Sequence, residues 1–171
     1  MRAADLLHHP DGLNLGARHI TISTAGVVPG IERFIDERRP YNLAISLNHP
    51  QADGRAALMD ISSRHSLSDL LAAALRYTKE LRRRITFEYI MMPGHNMDEK
   101  SLRELIKIAK GLYCRINLIP LNTNFAGFKA PDNQEIETFQ MALRNAGILA
   151  FNRGNPGKKI SGACGMLALH A

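Results

Sequence analysis

Short apolar runs alternate along the chain with longer segments in which apolar residues recur every three or four positions. Five of the short runs are rich in β-branched and other apolar residues and are followed by Gly, Pro or Asn, a pattern typical of strands. They cover residues 19–23, 42–47, 85–91, 115–119 and 147–151. Because polar residues interrupt these runs so rarely, the pattern predicts strands that are buried on both faces.

The intervening segments carry helix signals. Ser66, Asp98 and Asp132 are predicted N-cap residues, and an acidic residue three positions after Ser66 and after Asp132 strengthens two of these helix starts. Each is followed by apolar residues at helical spacing, which form one apolar stripe along the helix. A shorter helix is predicted over residues 31–36.

Strands and helices alternate without a hairpin signal, which favours parallel β/α units with right-handed crossovers. Five strands are too few for a closed eight-stranded barrel. We therefore predict an α/β fold, either a partial (β/α) barrel or an open, curved parallel sheet of about five strands with flanking helices. No linker or internal repeat divides the chain, so residues 1–171 are expected to form a single partial β/α domain.

The composition of the chain predicts the nature of its core, its location and the roles of its cysteines. Apolar residues make up 45% of the chain and Trp is absent, so the core is expected to be aliphatic. We expect a cytoplasmic protein without a membrane partner, because no apolar run is long enough to cross a bilayer and the first residues lack a signal-peptide pattern. The two cysteines are too few for a disulfide framework. Cys114 begins a predicted strand and is interpreted as a small core residue, whereas Cys164 lies among small residues and is a candidate reactive thiol.

The formal charge of +6 leaves two interpretations open. A basic surface favours binding to nucleic acid, because cations attract phosphates. Cations at the end of a helix also complement the helix dipole without any partner. The basic residues cluster at positions 38–39, 82–84 and 158–159.

Polar side chains follow the predicted strands at the edge where parallel β/α folds bind their ligands. Ser23, Ser46, Asn48 and Asn122 are examples. Hydroxyl and amide groups bind amino-acid groups, ribose or adenine edges by hydrogen bonding. A phosphate-binding glycine loop and the Cys or His spacing of a metal site are both absent from the sequence.

Five stretches of the chain, in order, resemble one protein family. The family comprises the radical S-adenosylmethionine methyltransferases that modify carbon-2 of adenosine in 23S ribosomal RNA and transfer RNA, the RlmN/Cfr group. The stretches are residues 12–31 (GLNLGARHITISTAGVVPGI), 43–48 (LAISLN), 84–91 (RITFEYIM), 117–122 (NLIPLN) and 162–167 (GACGML).

The resemblance implies a partial (β/α) barrel with S-adenosylmethionine at the strand ends. It implies that Cys164 is first methylated and then carries the one-carbon unit to the adenine, a role that suits a nucleophilic thiolate. Asn48 stands where the family has a His. The residues that match S-adenosylmethionine contacts are Ser23, Ser46, Leu47, Asn48 and Asn122.

The chain departs from the family at its metal centre. The 4Fe-4S cluster of the family is held by Cys-x-x-x-Cys-x-x-Cys, which this sequence lacks. The sequence is therefore interpreted as the C-terminal half of such an enzyme, either a fragment or a truncated paralogue that acts on RNA and is inactive alone. The alternative is a non-catalytic β/α module that binds RNA or a protein partner, including a homodimer paired through an exposed sheet edge.

Overall fold

One parallel sheet organises the protein in a computed structural model that describes residues 2–122 and 128–154. Its five strands lie in the order of the sequence, β1-β2-β3-β4-β5, and every neighbouring pair is parallel. The strands are β1 (Thr21–Thr24), β2 (Asn42–Ser46), β3 (Ile85–Met91), β4 (Cys114–Pro120) and β5 (Ala150–Asn152). The sheet is open because β1 and β5 do not pair. The predicted α/β class and open five-stranded sheet are confirmed.

Helices connect the strands, and their starts follow local capping chemistry. Ser66 accepts a hydrogen bond from the amide of Asp69 at 3.1 Å. Asp132 and Glu135 form a reciprocal capping box. The helices are α1 (Arg2–His8), α2 (Val28–Asp36), α3 (Ala52–Leu58), α4 (Leu67–Glu80), α5 (Glu99–Lys110) and α6 (Asn133–Asn145). The three predicted N-caps are confirmed, whereas α1 and α3 were not predicted.

The two faces of the sheet differ, which corrects the expectation of strands buried on both sides. The helix-facing side chains, such as Ile45, Phe87 and Ile116, are fully buried in one core. Several side chains on the opposite face are polar and partly exposed, as the two ends of β2 show. The runs look continuously apolar because residues such as Ile90 and Ile119 also lie on this second face. One face of the sheet is therefore accessible to a ligand.

Cys114 lies in the core, as predicted. It is 9% exposed, and its thiol donates to the carbonyl oxygen of Ala109 at 3.6 Å. Burial raises the pKa of this thiol to about 11, because the thiolate would lose its hydration. Cys114 is therefore a neutral packing residue at physiological pH.

Candidate functional site

A row of polar side chains crosses the accessible face of the sheet, from the carboxyl end of β2 to the middle of β3 and β4. Ser46 pairs in register with Glu88, and Glu88 pairs with Asn117. Paired residues of neighbouring strands point to the same face, about 4.8 Å apart. The row therefore presents a hydroxyl, a carboxylate and an amide side by side. Arg153 lies beside it, with its Nη1 atom 3.6 Å from Oε1 of Glu88.

Ser23 shares this face from the neighbouring strand β1. It pairs with Ala44, which lies two residues before Ser46 and so points to the same side. Beyond Ser23 the chain turns sharply. The hydroxyl of Thr24 accepts from the amide of Gly26 at 3.1 Å, and Gly26 has a φ of 107°, which favours glycine. The two predicted serines, Ser23 and Ser46, are thus brought to one face.

A buried amide, Asn96, joins the loops that follow β2 and β3. Its Nδ2 donates to the carbonyl oxygens of Asn48 at 2.7 Å and of Ile90 at 2.6 Å, and its Oδ1 accepts from the amide of Met92 at 2.8 Å. Asn48 adopts a left-handed φ of 56°, which Asn tolerates better than most residues. The Oδ1 of Asn48 accepts from the amide of Ile90 at 3.2 Å. The Asn48 side chain therefore helps to shape the edge of the site.

His49 packs inside the loop after β2 and supports it. Its Nε2 donates to the carbonyl oxygen of His95 at 3.1 Å, and its Nδ1 accepts from the amide of Gln51 at 3.1 Å. These two bonds define the neutral tautomer with the proton on Nε2. Gly54 leaves room for the ring, since a Cβ there would lie 2.2 Å from Cε1 of His49. Both ring nitrogens are occupied within the fold.

Arg55 is fully buried behind the site and was missed by sequence reasoning. Its Nη2 donates to the carbonyl oxygens of Ala25 at 2.6 Å and of Ser46 at 3.3 Å, and its Nη1 donates to the hydroxyl of Ser62 at 2.7 Å. Its Nε has no hydrogen-bond partner in the described part of the chain. Burial lowers the pKa of the guanidinium. The only sequence signal was the run of small residues around Arg55, which allows its close burial.

The remaining predicted residues differ in their placement. The side chain of Leu47 is fully buried in the core, and its amide donates to the carbonyl oxygen of Glu88 at 2.9 Å. A ligand contact from Leu47 is therefore limited to its backbone. Asn122 lies two residues beyond β4 and is half-buried. Cys164 lies outside the described residues.

The described residues also bear on metal binding and on membranes. Over residues 2–122 and 128–154, no group of three or more His, Cys, Asp or Glu side chains could hold a metal ion. Within the same ranges, every helix is too short or too polar to cross a bilayer.

Comparisons with known proteins give a consistent result. The chain is 57% identical over 168 residues to a protein named "Probable dual-specificity RNA methyltransferase RlmN" of Leptospira interrogans, covering 98% of this chain and 48% of that protein. A relative of the same name from Leptospira biflexa is 50% identical, with 99% and 48% covered. No family model matches the chain.

Two solved structures are similar to this chain. A radical SAM methyltransferase from Sphaerobacter thermophilus superposes with a TM-score of 0.91 at 42% identity, covering 97% of this chain and 49% of that one. A domain of pyruvate-formate lyase-activating enzyme from Bacteroides vulgatus, at a TM-score of 0.64 and 18% identity, shares the fold.

These matches first define a class, because the chain is homologous to about half of a radical SAM methyltransferase. Within that class, its high-identity relatives are the RNA methyltransferases named RlmN, and the chain spans about half of their length.

Proposed function

We propose that this chain forms the S-adenosylmethionine-binding half of an RlmN-type enzyme that methylates carbon-2 of adenosine in 23S ribosomal RNA and transfer RNA. The observation that supports it best is the polar row of Ser46, Glu88 and Asn117 on an accessible sheet face. From β2 this face continues to the carboxyl edge, where parallel β/α folds bind ligands. Homology to RlmN over the matched half agrees with this assignment. RNA is accordingly the proposed macromolecular substrate.

The residues present fit S-adenosylmethionine, whose ribose, carboxylate and adenine need both donors and acceptors. The hydroxyls of Ser23 and Ser46 can donate to the carboxylate and can both donate to and accept from the ribose hydroxyls, and the amide of Asn122 can donate to and accept from an adenine edge. Glu88 and Arg153 add a carboxylate and a cation on the same face of the sheet. The backbone amides of Leu47 and Asn48 donate to the carbonyl oxygen of Glu88, so these two residues would take part through the second lone pair of their carbonyl oxygens. S-adenosylmethionine, when bound, supplies the methyl group.

The residues present do not fit a 4Fe-4S cluster. The sequence contains two cysteines and no Cys-x-x-x-Cys-x-x-Cys motif. One of the two, Cys114, is a buried strand residue. Since the ligands are not among these 171 residues, we propose that this polypeptide alone does not cleave S-adenosylmethionine reductively.

Cys164 is the proposed methyl carrier. As a thiolate it would attack the methyl carbon of the sulfonium, so that a bond from the cysteine sulfur to the methyl group forms while the sulfonium–methyl bond breaks and S-adenosylhomocysteine leaves. Cys114 is unsuited to this step, because burial raises the pKa of its thiol to about 11. The chain therefore offers one candidate nucleophile of this kind, in the part that lies outside the described residues.

A chimeric enzyme tests this proposal. The matching part of the RlmN protein from Leptospira interrogans would be replaced by this chain, and the methylation of adenosine carbon-2 would be measured by mass spectrometry of digested RNA. We expect activity in the chimera and none in its Cys164→Ala variant, whereas a Cys114→Ala variant retains activity. A folded, cluster-loaded chimera that binds no S-adenosylmethionine in a calorimetric titration would refute the proposal.

The alternative is a non-catalytic β/α module that binds RNA or a protein partner. The observation that favours it is that, among the described strands, β1 and β5 each pair along one side only, and the other side of either could pair with a second copy. Both edges are short, at four and three residues, which weakens such pairing. RNA binding or a dimeric mass, combined with no response to S-adenosylmethionine, would favour the module.

A further inference from the structure

The amino ends of the strands carry a basic surface, on the opposite edge of the sheet from the loops that hold Asn48 and Asn122. It consists of Arg38 between α2 and β2, Arg82 and Arg84 between α4 and β3, and Tyr113 between α5 and β4. All four residues are exposed. These four residues are termed the amino-end surface. Since β3 is seven residues long, the two edges lie about 20 Å apart.

Direct contacts join the three loops into one surface. Nη1 of Arg83 donates to the carbonyl oxygen of Arg39 at 2.8 Å, which links the first loop to the second. The guanidinium of Arg84 lies over the ring of Tyr113, 4.6 Å from its centroid, which links the second loop to the third. The three loops that carry these cations are therefore joined to each other.

The cations of this surface are not neutralised within the described chain. Over residues 2–122 and 128–154, no carboxylate lies within ion-pair distance of Arg38, Arg82 or Arg84. The acidic residues closest in sequence, Glu37 and Glu80, form ion pairs with other arginines. Within the part of the chain that the structure describes, the positive charge of this surface therefore remains available to an outside partner.

The backbone conformation of Arg38 and Arg82 independently indicates a functional role for these two residues. Arg38 and Arg82 have φ values of 46° and 52°, in the left-handed region where a long side chain is uncommon and Gly or Asn is favoured. Two adjacent loops thus place an arginine where the turn itself favours a smaller residue. A strained residue that does not improve the fold is an indication of function.

We propose that the amino-end surface binds the phosphate backbone of RNA. Arginine guanidinium groups donate two parallel hydrogen bonds to a phosphate, and an exposed tyrosine offers a ring and a hydroxyl to a ribose or an unstacked base. The choice of RNA as the polyanion rests on the proposed function. Because this surface lies at the opposite edge from the proposed S-adenosylmethionine site, it would hold an RNA that extends across the domain.

A triple variant tests the surface without disturbing the turns. Arg38→Asn and Arg82→Asn keep a residue that tolerates positive φ, and Arg84→Gln keeps a polar side chain of similar reach. Binding of a fluorescein-labelled RNA duplex of about 16 base pairs would be followed by anisotropy. We expect Kd to rise at least about tenfold at 0.1 M salt, and the slope of log K against log salt to shrink by about 2.

The matched control removes the same charge from the exposed side of α5. It combines Lys100→Gln, Arg103→Gln and Lys107→Gln, and two of these cations are already paired with carboxylates. We expect its Kd to stay within about twofold of the wild-type value. Circular dichroism of all three proteins would establish equal folding.

Three results would overturn the proposal: equal losses in both variants, no loss in the amino-end variant, or wild-type protein that binds phosphatidylserine vesicles and no RNA. Titration of the same proteins with S-adenosylmethionine separates this proposal from the proposed function. The amino-end variant is expected to respond to S-adenosylmethionine like the wild type. RNA binding at this surface without any S-adenosylmethionine response would count against the proposed function alone.

Discussion

The guanidinium of Arg55 donates a hydrogen bond of 2.6 Å to the backbone carbonyl oxygen of Ala25. The same nitrogen lies 3.3 Å from the carbonyl oxygen of Ser46. One buried cation thus ties together the ends of β1 and β2, which carry Ser23 and Ser46. Gly26 completes the arrangement, since a Cβ there would lie 2.8 Å from Nη2 of Arg55.

Arg55→Met is expected to destabilise the protein. The substitution fills much of the same volume but leaves the carbonyl groups of Ala25 and Ser46 without their donor. Unpaired buried groups cost about 1–3 kcal/mol each, so we expect the free energy of unfolding to fall by about 2 kcal/mol or more in urea titrations. The control, Arg64→Met, changes an exposed arginine and is expected to stay within about 0.5 kcal/mol of the wild type. Equal stabilities of the two variants would contradict the role of Arg55.

Two helical glycines are expected to respond to alanine in opposite directions. At Gly30 in α2, a Cβ would lie 3.8 Å from the nearest side chain, so Gly30→Ala should stabilise the helix by up to about 1 kcal/mol. At Gly54 in α3, a Cβ would lie 2.2 Å from the ring of His49, so Gly54→Ala should cost about 1–3 kcal/mol. Thermal unfolding of both variants measures the difference. A stabilised Gly54→Ala variant would contradict the described packing of His49.

The Asp98 carboxylate is expected to make the stability of α5 pH-dependent. The amide of Ser101 donates to it at 2.9 Å and, with further hydrogen bonds, holds its folded pKa below the ordinary value. This contribution is therefore complete above the unfolded pKa and is lost as the pH falls through the lower folded pKa. Asp98→Ala should cost about 1 kcal/mol at neutral pH, and the gap to wild type should narrow below about pH 4.

Asp98→Asn serves as the control for this titration. Asn also caps helices but does not titrate, so its stability difference from Asp98→Ala should stay constant over the same pH range. If the difference in unfolding free energy between the wild type and Asp98→Ala were equally constant with pH, the charge of the Asp98 carboxylate would contribute nothing to stability.

Cys114 is expected to resist alkylation in the folded protein. Burial raises the pKa of its thiol to about 11, and only the thiolate reacts with iodoacetamide. Peptide mapping by mass spectrometry should find Cys114 unmodified after native treatment near pH 8 and modified after denaturation in urea. The unfolded thiol titrates near pH 8.5, so the free energy of unfolding should also decline above that pH as the unfolded state loses protons. Native labelling of Cys114 would contradict its burial.

The elements that could be predicted from the sequence are those fixed by local chemistry. Residues 85–91 form the predicted strand without a shift in boundary, and Ser66, Asp98 and Asp132 cap helices as their side chains allow. Within the site, Ser23 and Ser46 lie on one face because both belong to parallel strands with a simple register.

The missed features depend on contacts between residues distant in sequence. The sequence of α3 lacks the apolar spacing that predicts a helix, because Gly54 and Arg55 interrupt it. In the folded protein, α3 is held instead by the packing of Gly54 against His49 and by the hydrogen bond from Arg55 to Ala25. Asn96 resembles an ordinary loop residue until its bonds to two strand ends are seen. The accessible face of the sheet could not be predicted, because isoleucines lie among its polar residues and make the strand sequences look apolar on both faces.

Nuclear magnetic resonance titration of the ¹⁵N-labelled chain with S-adenosylmethionine tests the central claim most directly. Binding through the strand ends alone, without a cluster, should be weak, with a dissociation constant on the order of 1 mM. The account predicts shifts in fast exchange for the amides of Ser23, Ser46, Asn48 and Asn122, while those of α5 stay unchanged. No shift at about tenfold that concentration, or shifts centred on α5, would contradict it.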